Sequence, residues 1–499
     1  MRYLPFSSSR EDGTDLSILN VLDDGSRGSI RHFSFNQLNQ WVSNYASFLN
    51  RRGVGKGERV CLYLPNSLEL VVALFGNHLL GVITVPVNPL CTREELEFVA
   101  REAEISGIIT AEDRPGFCER KLKLSLRQSD FWDAMTEQTT SFPENQEEDA
   151  GALLCFTSGT TARPKGVLIR HRNIRSNLKD LIETWGWTSE DSLLLSLPLF
   201  HVHGLGLGLH GWAMTGCRLA ILNRFRPRRV VEELSSGEFT MFMGVPTMYR
   251  RIVDCYDWKL HDLSRLRLAI TGSAGMPMEL HGQCRKIFGQ TLLERYGMTE
   301  TFMNTSNTLT DRKPGSVGRP LPSVRIRLLD DQGQWIATRG EPGEVCVQGP
   351  NVFSGYWQDP ETTRKSFIDG WFRTGDLGYL DEEGRLYLMG RVSVDFIKSG
   401  GNRIGAREVE EVLERHPSVQ EVAVIGLPDH QLGEKVVAVV IARGELEATG
   451  EKSLSLEEDL LNHCRQHLAS YKCPREIRFV SELPKNAMGK VQKNRLKAQ

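Results

Sequence analysis

Thr157-Ser158-Gly159-Thr160-Thr161-Ala162-Arg163-Pro164-Lys165-Gly166 comes directly after the apolar run Leu153-Leu154-Cys155-Phe156. That run reads as a buried strand, so the polar segment leaves it as a loop. Hydroxyls, small residues and a lysine together form a cradle whose backbone N–H groups can turn toward phosphate oxygens. No Gly-x-x-x-x-Gly-Lys-Ser/Thr occurs here, which disfavours an ordinary P-loop nucleotidase. Taken alone, such a segment is as readily a surface turn as a phosphate site. The rest of the chain decides between them.

Outward from the loop, strands alternate with helices. Residues 59–64 read as a strand, 67–80 as a helix and 82–87 as the next strand. The same rhythm returns with a strand at 217–222, a helix at 227–235 opened by Pro227, and a strand at 240–244. This α/β pattern predicts mostly parallel sheets covered by helices. Residues 119–149, ending in Glu147-Glu148-Asp149, read as a polar peripheral connection. From residue 316 the texture changes to short alternating strands (324–328, 344–347). The turn signals Asp330-Asp331-Gln332-Gly333 and Asp381-Glu382-Glu383-Gly384 fit an antiparallel β subdomain. After Arg391 comes an α+β module with helices at 406–416 and 456–469 and strands at 419–424, 435–442 and 475–480. The expected organisation is therefore a multidomain α+β chain. It has an N-terminal region over 1–391, a junction at 392–396 and a small domain over 397–499.

At 499 residues the chain exceeds one ordinary core. Its 40% hydrophobic and 25% charged composition is that of a soluble globular protein. A net charge of -2 argues against nucleic acid as a partner. Ten cysteines without a Cys-x-x-Cys pair favour reduced thiols in a cytoplasmic setting over disulfides or structural zinc. Residues 1–15 show no apolar signal core and no run of about 18 apolar residues occurs, so no membrane association is expected.

Four further segments look chemically purposeful: Glu294-Arg295-Tyr296-Gly297-Met298-Thr299-Glu300, Gly370-Trp371-Phe372-Arg373-Thr374-Gly375-Asp376, Lys398-Ser399-Gly400-Gly401-Asn402-Arg403-Ile404 and Pro484-Lys485-Asn486-Ala487-Met488-Gly489-Lys490. The first is expected to follow a short apolar strand at a sheet end, where ligands of α/β proteins collect. In this order, with the opening loop, they resemble the adenylate-forming superfamily of acyl-CoA synthetases, luciferases and nonribosomal adenylation domains, over nearly the whole chain. The resemblance implies a large N-terminal region of two related α/β subdomains plus a β subdomain, and a small mobile C-terminal domain. It implies that Thr157, Ser158, Gly159, Thr160, Thr161 and Lys165 enclose the triphosphate of ATP. Glu300 is the implied magnesium ligand, with Thr160 beside the metal, and Thr299 contacts the α-phosphate. Ser273-Ala274-Gly275 lines the adenine and Tyr296 stacks on it. Asp376, assisted by Arg391, takes the ribose hydroxyls. His201 lies beside the substrate carboxylate. Lys490 is the implied cation of the first half-reaction, in which a carboxylate attacks a phosphate and two anions must meet. Asp395 matches the hinge, and Gly400-Gly401 the turn lining the path of coenzyme A, where side chains would obstruct a thin pantetheine arm. Lys472 is as readily a solvated lysine as a support for that second state. The phosphate loop departs from the family pattern at Ala162, where glycine is common.

The segment 294–306, with Pro198-Leu199-Phe200-His201-Val202-His203-Gly204-Leu205 and Gly244-Val245-Pro246-Thr247-Met248-Tyr249-Arg250-Arg251, resembles the malonyl-CoA synthetase branch. Malonate keeps a second carboxylate after activation, and burying it without a cation would be costly. Arg295 and Arg251 are the candidates to hold it, and Met303 is assigned to the same pocket. The expected function is an ATP- and magnesium-dependent acid–CoA ligase acting on malonate or methylmalonate. Alternatives are an aryl or medium-chain acid, a carrier-protein acceptor, or a nucleotide-binding protein that has lost catalysis. Oligomeric state, monomer or dimer, is left open.

Overall fold

The computed structural model describes residues 15–21, 27–111, 122–135, 147–157, 164–391, 396–399, 402–443, 451–485 and 491–497. The chain divides into two compact units: residues 1–326 with 347–372, and residues 327–346 with 373–499.

The first unit holds two α/β sheets. One runs in the order Leu124–Arg127, Gly107–Thr110, Arg59–Tyr63, Ile83–Pro86, Gly151–Thr157, all parallel, and Lys165–Arg170 closes its edge antiparallel. The helix Leu68–Leu80 starts on the Ser67 hydroxyl and ends at Gly81 with φ +76°. Its apolar residues face inward on nearly every side, so burial rather than one amphipathic stripe holds it.

Part of the expected peripheral connection proves structural. Leu124–Arg127 is an edge strand with alternating burial. Phe131 is buried and stacked on Tyr45 at 5.4 Å. Trp132 Nε1 and Gln128 Nε2 donate to the buried Glu69 carboxylate at 2.7 and 2.9 Å. A four-residue alternation embedded in polar sequence is too short to register as a strand without its sheet partner.

The second sheet has nine strands, in the order Arg319–Pro320, Phe302–Ser306, Leu293–Met298, Leu268–Thr271, Met241–Gly244, Ser192–Leu195, Arg218–Leu222, Leu16–Val21, Arg27–Phe33. The six from Leu293–Met298 to Leu16–Val21 are parallel. Three buried imidazoles meet in this unit. His78 Nε2 lies 3.0 Å from His210 Nε2, and the His171 ring packs edge-on to His78. His210 Nδ1 donates to the Leu205 carbonyl at 2.7 Å, so its Nε2 accepts from His78 when both are neutral.

Burial pushes all three downward: His78 well below the usual range, His171 to about 3 and His210 to about 4. The unfolded chain titrates near 6.5, so it takes up protons before the folded state does. Stability should therefore be full above about pH 6.5 and fall as pH drops below it. These three groups should contribute a slope approaching about 4 kcal/mol per pH unit. Urea unfolding followed from pH 7.5 to 5 measures this, and His210→Gln should remove about 1.4 kcal/mol per pH unit of the slope. A flat profile would mean that the cluster is charged or solvated in the native state.

The second unit carries two antiparallel hairpins at the expected turn signals. One pairs Leu328 and Leu329 with Ile336 and Trp335, the other Asp376 to Leu380 with Arg391 to Leu386. Its C-terminal module packs the helices Ala406–Glu414 and Glu451–His467 on the strands Val419–Asp429, Gly433–Ala442 and Glu476–Phe479, around a core including Val409, Leu413, Val424, Ala438 and Leu460. Among the described residues all nine cysteines are free, and no helix is long and apolar enough to cross a membrane.

Candidate active site

Four adjacent parallel strands of the second sheet deliver their following loops to one sheet edge, where α/β folds place ligands. After Ser192–Leu195 come His201 and His203. After Met241–Gly244 comes the helix Pro246–Cys255, with Arg251. After Leu268–Thr271 come Gly272 to Gly275, and after Leu293–Met298 come Thr299 and Glu300. The segment expected to follow a strand is itself the strand: Leu293–Met298 runs through Arg295 and Tyr296 and turns back antiparallel into Phe302–Ser306. Thr301 N closes the turn onto Met298 O at 3.2 Å, leaving Thr299 and Glu300 at its tip. Gly297 is obligatory there, because a Cβ would sit 1.7 Å from Phe302 O. Asn177 clamps Met303 through both backbone groups, at 2.7 and 3.2 Å. Met303 is fully buried.

On the phosphate side, Thr157 and Lys165 face one another across the hairpin of Gly151–Thr157 and Lys165–Arg170. Ser158, Gly159, Thr160, Thr161 and Ala162 lie between them, outside the described residues. Tyr356 ties the neighbouring pieces together. Its hydroxyl donates to Glu300 Oε1 at 3.1 Å, its ring carries Lys165 Nζ at 5.1 Å, and its backbone bridges Val167. Glu300 is 7% exposed, and its charge adds to the burial that pushes the Cys155 thiol up to about 12. A hard-oxygen carboxylate linked through Tyr356 to a lysine at the stem of this loop suits a magnesium ion bound on phosphates.

The fold separates the two arginines expected to hold the acid. Arg251 is exposed, with its guanidinium 5.4 Å from the centre of the Phe225 ring. Arg295 is 2% exposed, and its Nε and Nη2 have no hydrogen-bond partner among the described residues. Burial lowers it to about 9. Beside it His203, 2% exposed, leaves both ring nitrogens without a partner among those residues. Burial, then Arg295, then His201 hold His203 far below its usual range. His201 is lowered to about 4 by burial, so it is neutral at pH 7. His203 opens a π-helix, His203–Leu209, a form that concentrates at functional sites. Tyr296 is buried beside Arg295, and Ser273, Ala274 and Gly275 are exposed at the end of the neighbouring strand.

In the second unit, Asp376 and Arg391 are direct cross-strand partners, with Nε to Oδ1 at 3.0 Å. Lys472 pairs with Glu408 at 2.6 Å. Asp395, Gly400, Gly401 and Lys490 lie outside the described residues. Flanking Lys490, Lys485 bridges Val491, Lys485 pairs with Glu421 at 2.5 Å and Lys493 with Glu410 at 2.7 Å.

The family described as AMP-binding enzyme matches residues 19–357, and its C-terminal domain matches 408–490. The chain belongs to the AMP-binding enzyme family. A mitochondrial malonate–CoA ligase, ACSF3, of Mus musculus is 37% identical over 483 residues, covering 88% of this chain and 81% of its own. A long-chain-fatty-acid–CoA ligase of Bacillus subtilis is 33% identical over 496 residues, covering 90% and 87%. The solved structure of ATP-bound MatB from Rhodopseudomonas palustris aligns with a TM-score of 0.88 at 32% identity, over 100% of this chain and 99% of that one.

Three residues of this AMP-binding enzyme escaped the sequence reading. Tyr356 lies 191 positions beyond Lys165, and only Gly355-Tyr356-Trp357, a small residue before two aromatics, hinted at it. His203 stood inside a quoted motif, but its proximity to Arg295 is a tertiary fact. Gly272 had no signal beyond being one more glycine in a turn.

Proposed function

We propose that this enzyme is an ATP- and magnesium-dependent acid–CoA ligase whose acid is malonate or its 2-methyl derivative. The observation carrying the choice of acid is the buried Arg295. Its Nε and Nη2, without a partner among the described residues, form the edge by which a guanidinium grips a carboxylate bidentately. A desolvated cation left in this state is expensive unless an anion completes it, and the distal carboxylate of a short dicarboxylate is such an anion. The similarity to the malonate–CoA ligase named above supports the same choice.

In the first half-reaction a carboxylate oxygen of the acid attacks the α-phosphorus of ATP and pyrophosphate leaves, giving an acyl-adenylate. In the second, the thiol of coenzyme A attacks the acyl carbon and AMP leaves. Lys165, with Thr157 and residues 158–161, offsets triphosphate charge. Glu300 would hold a magnesium ion, which would supply neutralisation of phosphate charge. Neutral His201 lines the acid without competing for its charge. Asp376 and Arg391 take the ribose, and Lys490 bridges the two anions in the first step.

Pyrophosphate release measured over malonate, methylmalonate, acetate, octanoate and benzoate tests the reading. Turnover concentrated on the two dicarboxylates supports it. Faster turnover of octanoate or benzoate would move the enzyme to another acid class.

A further inference from the structure

We propose that Gly272 sets the acid specificity of this enzyme by leaving empty the volume that the Arg295 guanidinium occupies. The inference rests on the malonate reading and names the residue that makes its cation possible. Gly272 is not there for its backbone. Its φ lies outside the left-handed region, whereas the next residue, Ser273, has φ +71°. A turn choosing glycine for conformational freedom would put it at 273, where a side chain is strained. Space explains the choice instead.

Thr271 and Glu294 are partners on adjacent parallel strands, which brings 272 alongside 295. A Cβ at Gly272 would lie 2.8 Å from Arg295 Cζ and Nη1, and 2.8 Å from the Arg295 carbonyl oxygen. Optimal carbon contacts fall at about 3.5–4.0 Å. The guanidinium therefore turns its Cζ and Nη1 to the bare backbone at 272 and is left with Nε and Nη2 as the edge without a partner among the described residues. Neighbouring groups leave little slack. Tyr249 is fully buried, with its hydroxyl committed to Ile270 O at 2.8 Å, and His203 is buried close by. A methyl at 272 must displace the charged plane, and with it the edge that reads the acid's second carboxylate. Lys165, Glu300 and Lys490 are not touched by this change, so adenylation itself should survive.

The test is kcat/KM for malonate against a series of monocarboxylates from acetate to hexanoate, in the native enzyme and in Gly272→Ala. A displaced charge-assisted fork should lower the malonate-to-monocarboxylate ratio about tenfold to a hundredfold. The loss should fall mainly in KM for malonate, with KM for ATP unchanged. An unchanged ratio, or an equal loss on both acid classes, overturns the inference and makes Gly272 merely structural. Should Gly272→Ala yield no soluble enzyme, Gly272→Ala combined with Arg295→Ala decides, because truncating the arginine removes the guanidinium that the methyl meets. Recovery of soluble enzyme with monocarboxylate turnover supports the proposal. Failure to recover assigns the glycine to the carbonyl contact and overturns it. A native enzyme that turns over no dicarboxylate sinks the malonate reading itself, whereas malonate preference retained in Gly272→Ala sinks only this step.

Discussion

Arg295→Met is expected to lower kcat/KM for malonate by about two to three orders of magnitude while raising the thermal stability of the ligand-free protein. The loss follows from stranding the distal carboxylate in a desolvated pocket; truncating one partner of a buried charged pair costs about 2–5 kcal/mol. The gain follows from the same burial, which already drives Arg295 down to about 9. Among the described residues no counter-ion meets this buried charge, which is a standing cost, and apolar replacements of buried ionic groups often stabilise by about 1–4 kcal/mol. Methionine keeps much of the chain's length, so little void opens behind it. Thermal melts and steady-state kinetics on one preparation check both halves. Undiminished malonate turnover would remove Arg295 from the pocket, and a lower melting temperature would mean that the guanidinium serves the fold.

Lys490→Ala should cost roughly 10²–10³ in adenylate formation, by analogy with the removal of a single oxyanion donor. Thioester formation from a supplied acyl-adenylate should stay largely intact. The asymmetry comes from charge: only the first half-reaction drives an anionic acid onto an anionic phosphate. The flanking contacts of Lys485 with Glu421 and of Lys493 with Glu410 do not involve residue 490, so the substitution should leave the module folded. Pyrophosphate exchange reads the first step and CoA consumption with synthetic adenylate reads the second. Equal losses in both would contradict a lysine dedicated to one half-reaction.

Much of this was legible in the chain. The alternation of apolar strands and amphipathic helices placed strands such as Arg59–Tyr63, Ile83–Pro86 and Met241–Gly244 within a residue or two of their observed ends, because period and capping are local. The Asp-rich turns ahead of Gly333 and Gly384 marked hairpins for the same reason: Gly333 N closes on Asp330 O and Gly384 N on Asp381 O. The edge strand Leu124–Arg127 was missed because four alternating residues acquire meaning only against Gly107–Thr110.

For the site, order and spacing of motifs were enough to name the groups of the proposed chemistry: a lysine-bearing loop for the phosphates, Glu300 for the metal, Asp376 for the ribose and Lys490 for the first step. Residue identity along the chain is enough for that, since each group's charge and donor character travel with its side chain. What the sequence could not rank was Arg251 against Arg295, two arginines in equally suggestive settings. Only the fold exposes the first and buries the second beside His203, with Gly272 vacating its space and Tyr356 joining Lys165 to Glu300. Burial, room and the cost of an unpaired charge depend on which distant segments crowd around a group, and no local stretch of the chain contains that information.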